Sequence, residues 1–140
     1  MNYSYEATNI GYDDSESAFT VGFGGLPDED NYPTISLLLQ RSTDDAEDVP
    51  GVEGVYVEWC DQSNSCYGCI EDFQLERNSA RIKFAEAANL LVDLNQDEKK
   101  DNRLSKLVVT FDIDEATYQK LKDSLSRIIF RDCRCFTAVV

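Results

Sequence analysis

Histidine is missing altogether from the 140 residues of this chain. Its absence removes the commonest general base and the commonest zinc ligand together, and it rules out nucleophile–base dyads of the Ser-His or Cys-His kind. Basic side chains are almost missing from the first 76 residues, which set Arg41 alone against seventeen carboxylates, a local charge of −16. The rest of the chain carries ten acids and twelve bases, so the net charge of −14 arises in one half. A surface of that sign disfavours nucleic acid and anionic membrane and favours a basic protein or a cation. No apolar stretch reaches the roughly 18 residues that a membrane span needs. The first six residues lack the basic start and apolar run of a secretory signal, which predicts a cytoplasmic protein.

Apolar residues make up 42% of the chain and fifteen residues are aromatic. That is enough for a core, and it predicts one folded domain over residues 1–140 despite the charge. The cysteines number five, an odd count in a chain too large to need staples. They read as reduced cytosolic thiols.

Period-two alternation dominates the N-terminal two-thirds. Tyr3, Tyr5 and Ala7 alternate with polar residues, and Gly11 through Ser17 reads as a turn before a strand at 18–23. The glycines after it, with Pro27 and the Asp28-Glu29-Asp30 run, end that hairpin arm. Residues 35–40 form a short apolar strand, and 42–50 a mostly acidic loop. Val55 to Cys60 is β-branched and aromatic, hence a strand. A polar turn follows, then strands at 69–75 and 81–84 with Leu75 and Ile82 facing the core. Residues 85–91 favour a short helix, 95–103 a charged loop, and 104–111 a strand with Leu107, Val109 and Phe111 on one face. Tyr118, Leu121, Leu125, Ile128 and Ile129 recur at intervals of three and four, so a last amphipathic helix is expected. Asp112 with Glu115 resembles a capping box, and Asp114 adds helpful charge. The expected fold is α+β: an antiparallel sheet of about six to seven strands, with the short helix and the C-terminal helix packed on it.

Each motif with chemical potential has a plainer reading. Cys66 and Cys69, with Cys133 and Cys135, could complete a four-thiolate metal site, but the second pair has a single intervening residue. Gly22-Phe23-Gly24-Gly25 lacks the third glycine and following helix of a phosphate loop, so a hairpin end fits better. Neither the 28–30 nor the 44–48 acidic cluster has the spacing of a calcium loop. Glu71 and Asp72 would point to opposite faces of a strand and cannot share a substrate. No catalytic residue, metal or cofactor is assigned. Trp59 and Tyr67 flank the polar turn at 61–65 and suit an interface anchor, although Trp59 alternates with Val57 and reads equally as core.

The stretch from Tyr56 to Ile70 is more specific as a whole. Its Asp61-Gln62 pair, followed by Cys66-Tyr67-Gly68-Cys69 and the Arg77-Asn78 turn, resembles the bacterial immunity protein family numbered ten. So do Gly11-Tyr12-Asp13-Asp14, the 19–23 strand and the closing strand and helix from Val109 to Phe130. Members of that family neutralise toxins of polymorphic toxin systems. Cys69 departs from the family pattern, which has glycine there, and residues 131–140 lie beyond the resemblance as a tail or an added edge strand.

The resemblance implies a non-enzymatic protein that binds a cognate toxin with a basic surface, stoichiometrically and without a cofactor. The partner-contact set expected on that basis is Asp44, Asp45, Glu47, Asp48, Asp61 and Glu71, with Trp59 and Tyr67 as anchors. The alternatives are an acidic regulator or nucleic-acid mimic outside toxin systems, and a small thiolate-metal protein. The oligomeric state is left open.

Overall fold

The computed structural model describes residues 1–27, 35–44, 46–92 and 102–138. The alternating segments become nine strands: β1 (Asn2–Asp14), β2 (Ala18–Gly25), β3 (Ile35–Ser42), β4 (Tyr56–Trp59), β5 (Asp61–Tyr67), β6 (Ile70–Glu76), β7 (Ser79–Phe84), β8 (Lys106–Thr110) and β9 (Phe136–Ala138). They join in one sheet in the order β5-β4-β3-β2-β1-β8-β7-β6-β9. The antiparallel sheet of six to seven strands is thus corrected to a mixed sheet of nine. β1 runs parallel to β8, and β9 parallel to β6. Pairing of segments about 100 residues apart, as in β1 with β8, or about 60 apart, as in β6 with β9, leaves no mark in local periodicity, so neither parallel ladder was readable in advance.

β1 belongs to both halves of the sheet. Its start, Asn2 to Glu6, pairs with β8, and its remainder pairs with β2 after a register shift between Ala7 and Asn9. A bulge of that kind bends a strand and sharpens its twist. Here it lets the sheet curl onto itself. The rings of Tyr3 and Tyr5 come within 5.5 and 5.6 Å of the Trp59 ring, although β1 and β4 are three strands apart. In a flat sheet they would be roughly 14 Å apart at the usual strand spacing. Trp59 is fully buried inside this curl.

One helix, α1 (Glu115–Ser124), covers the core. Asp114, not Asp112, caps it, accepting a 2.7 Å hydrogen bond from the Thr117 amide. The capping-box expectation was placed two residues early, because both aspartates precede the apolar stripe. The helix runs on through a π-helical turn at Leu125–Ile129, where the Phe130 amide reaches back to the Leu125 carbonyl at 2.8 Å. That wider turn lets Leu125, Ile129 and Phe130 all point inward against β2, β3 and Phe73.

Two further expectations fail. Residues 85–91 contain no helix; the backbone there is taken up by neighbours instead. The Ala85 amide bonds the Cys69 carbonyl at 2.8 Å, and the Leu91 amide bonds the Asn64 side chain at 2.9 Å. The polar turn at 61–65 is in fact β5, and the chain reverses at Cys60 alone, in the left-handed region at φ 66°. Its polar composition suits a sheet edge. Asn64 turns inward, donating to the carbonyls of Trp59 and Leu91 at 3.0 Å each. The Asp28-Glu29-Asp30 cluster, Asp45, most of the 95–103 loop and the last two residues of the tail lie outside the described residues. Within the described part of the tail, Phe136–Ala138 form an edge strand, β9.

Candidate functional site

Arg41, the only base of the acidic half, is buried rather than displayed. Strand alternation dictates this: Ile35, Leu37 and Leu39 face the core from β3, and Arg41 is next in that series. A buried guanidinium must be paired. Its Nε donates to Asp48 Oδ1 at 3.1 Å, and Nη1 and Nη2 donate to the two oxygens of Asp132 at 2.6 and 3.0 Å. Carbonyls of Ile129 and Val49 accept at 3.1 and 3.2 Å. Burial opposes the charge, but the hydrogen bonds that the guanidinium donates to Asp132 and then to Asp48 outweigh it and hold its pKa above its ordinary value. The pairing ties three distant parts together: β3, the loop before β4, and the segment after α1.

Asp48 is therefore engaged. Besides Arg41 it takes a 2.7 Å ion pair from Arg131. Burial raises its carboxyl, yet these cations leave it below the usual carboxylate range. Asp132 is also held well below that range, first by its Arg41 hydrogen bond and then by the Gly51 amide. Both groups have lowered folded-state values, so their contribution to stability is complete above the unfolded value near 4 and is lost as pH falls through the folded values. The stability gap between the native chain and Asp132→Asn, measured by urea unfolding, is expected to be constant from about pH 7 to 5 and to shrink progressively below about pH 4. A gap that stayed constant to pH 2 would mean the pairing contributes nothing.

The pinned loop frames a surface depression. Its volume is about 230 Å³, and Gln40, Glu47, Val49, Tyr56 and Tyr67 are among its lining residues. Val49 and Tyr67 are large apolar side chains left 48% and 70% exposed. The Tyr67 ring leans on Tyr56 with centroids 5.0 Å apart. Asp44 begins the loop: its carbonyl accepts from the amides of Glu47 and Asp48 at 3.0 Å, and its carboxylate from the Ala46 amide at 3.0 Å. Asp44 and Glu47 are both exposed. An exposed aromatic and an aliphatic side chain, rimmed by carboxylates, have the composition of a protein-docking patch.

The family model of Immunity protein 10 matches residues 6–119. The chain belongs to that family. No curated protein and no solved structure matches it. The match spans the acidic loop, the strands from β1 to β8 and the start of α1. Asp132, the second partner of Arg41, lies beyond it.

In this member of the Immunity protein 10 family the expected contact residues divide sharply. Glu47, Asp48 and Tyr67 line one depression, and Asp44 stands next to it in the loop, its carbonyl bonded to the amides of Glu47 and Asp48. Asp61 stands apart in the β4–β5 hairpin, its carboxyl held low by the Ser63 amide and hydroxyl. Glu71 is on the other half of the sheet, ion-paired with Lys83 at 3.0 Å. Trp59, offered as an anchor, is in the core, and its alternation with Val57 was the correct cue. Val49 and Tyr56 were missed. Period two would have found Tyr56, because it faces away from Val57, whereas Val49 in an irregular loop carried no signal.

The cysteines also differ from expectation. Cys66 and Cys69 form a disulfide, their Cα atoms 6.1 Å apart, and so are not reduced thiols. Gly68 makes this approach possible. It has φ 67°, and a Cβ there would sit 3.1 Å from Glu53 Cα. Bonded to each other, the two sulfurs are not available for a four-thiolate site. Among the described residues no group of three or more Cys, Asp or Glu side chains is arranged to hold a metal ion. Burial pushes the free thiols of Cys60 and Cys133 up to about 12 and about 11, which leaves them protonated and poor nucleophiles.

Proposed function

We propose that this protein neutralises a cognate toxin in the cytoplasm by direct stoichiometric binding, using the acidic surface of its N-terminal half. Membership of the Immunity protein 10 family carries the reading. The exposed Tyr67 and Val49 beside Asp44 and Glu47 support it, as does the burial of Arg41, which leaves that half without a displayed base. Asp45, Asp61 and Glu71 enlarge the negative field in this scheme, and Asp48 keeps the loop in place. Trp59 stabilises the sheet behind the surface. An inhibitor of this kind has no chemistry to perform. It has to meet a basic target fast and release it slowly.

Co-expression with the toxin gene immediately upstream is expected to restore growth, and the purified pair to form a one-to-one complex. Failure of the rescue overturns the reading. Electrostatic steering also predicts a salt signature. The association rate should fall by about tenfold or more between roughly 10 and 150 mM salt, with dissociation nearly unchanged. A salt-insensitive association rate would reduce the acidic half to a solubility device.

A further inference from the structure

The strands that frame the depression have a second face, turned away from the core. Val21, Leu39 and Val57 point inward, so their neighbours along each strand point out. The cross-strand register lines up Gly11, Gly22, Leu38, Glu58 and Ser65 across five strands of that outer face. A side-chain carbon added at Gly11 or Gly22 would meet no heavy atom within 4 Å. The middle of the face is therefore bare backbone with open space above it. Glycine weakens a strand interior and characteristically stands where another backbone comes close. Beside this floor rise Tyr56 and Tyr67, and the Tyr56 hydroxyl donates to Glu58 at 2.7 Å.

Glu58 carries a negative charge in this row and Asp13, two residues on from Gly11 along β1 and opposite Thr20, carries another, while the one base of β3, Arg41, is buried on the opposite face. Arg131, which reaches the Ser42 carbonyl at the end of the strand, is paired with Asp48.

We infer that the toxin is seated on this outer face of β2 to β5, with a flat basic segment laid over Gly11 and Gly22 and an arginine or lysine of the toxin meeting Glu58. The inference rests on the toxin-neutralising function proposed above and moves its centre from the acidic loop to the sheet. Charge complementarity selects the occupant. Among the described residues of β1 to β5 the charges that are not buried are negative, which suits a basic partner, whereas a second copy of this chain would set Glu58 and Asp13 against their own likenesses.

Gly22 offers a test that misfolding cannot imitate, because its added side chain has room in the free protein. Binding of the purified toxin encoded immediately upstream is measured for the native chain and for Gly22→Leu, Tyr67→Ala, Glu58→Gln and Glu86→Gln. Gly22→Leu and Tyr67→Ala should each weaken the complex by about 30-fold or more while unfolding at the native temperature. Glu58→Gln and Glu86→Gln change the net charge equally, yet only the first should weaken binding, by about tenfold. If all four variants bind like the native chain, the toxin sits elsewhere and the inference is overturned with neutralisation intact. If the native chain itself does not bind, the proposed function falls and takes this inference with it. A dimer of the free protein that Gly22→Leu dissociates would overturn it as well, since the face would then be an interface between copies.

Discussion

Arg41→Met is expected to destabilise the protein by about 3–5 kcal/mol, the usual penalty for removing one partner of a buried ion pair. The guanidinium is wholly inaccessible and makes hydrogen bonds to two carboxylates and two carbonyls. Methionine fills much of the same space, so lost packing is a minor part of the effect. The major part is what remains. Asp48 and Asp132 are left side by side without their shared cation, and the Ile129 and Val49 carbonyls lose a donor. Asp132 is 40% exposed on its side chain and can rehydrate, whereas Asp48, at 14%, keeps Arg131 alone. The result should therefore fall toward the lower end of the range. Asp132→Asn added to Arg41→Met should return part of the loss, because it removes half of the uncompensated charge. Urea unfolding of the four proteins decides the matter. A single-mutant loss below about 1 kcal/mol would show that the three strapped segments hold without the cation.

Trp59→Ala should cost a similar amount, about 3–5 kcal/mol, for a different reason. The indole is completely enclosed, packed edge-on to Tyr3 at 5.5 Å and tilted against Tyr5 at 5.6 Å. Those contacts join the two halves of the curled sheet. Alanine would leave a cavity where the halves meet, and the strands around it are held in hydrogen-bonded ladders that can collapse only partly. Tyr67→Ala is the informative contrast. Its ring is largely in solvent, so stability should change by no more than about 0.5 kcal/mol. Thermal or urea unfolding of both variants separates the roles. Equal destabilisation by the two would refute the assignment of Trp59 to the core and Tyr67 to the surface.

The two aromatics show how far local pattern reaches. Both flank one polar stretch, and composition alone made either a fair anchor. Alternation with Val57 already pointed Trp59 inward. The polar run Asp61 to Ser65 nonetheless read as a turn, because Asp, Gln, Ser and Asn are poor strand formers. At a sheet edge those residues lose little, and Asn64 supplies hydrogen bonds that no propensity scale contains. The absent helix at 85–91 is the converse case. Ala85 to Leu91 has good helical composition, but its amides find partners at Asn64 of β5 and at Cys69 just before β6, and tertiary pairing overrides a weak local preference.

Order along the chain was enough to set the positions of most strands, the inward faces of β6, β7 and β8, the apolar stripe of the last helix, and the confinement of negative charge to one half. These follow from periods of two and about three and a half and from counting charges, which involve neighbours in sequence only. The curl of the sheet, the parallel pairings of β1 with β8 and β6 with β9, the Cys66–Cys69 bond and the capture of Asp48 and Asp132 by Arg41 were decided by the folded chain. All but the disulfide, which joins residues three apart, depend on groups brought together from distant positions, where burial makes pairing compulsory and geometry chooses the partner. Which carboxylates are free to meet a toxin, and which are spent holding a loop, is a question of that second kind.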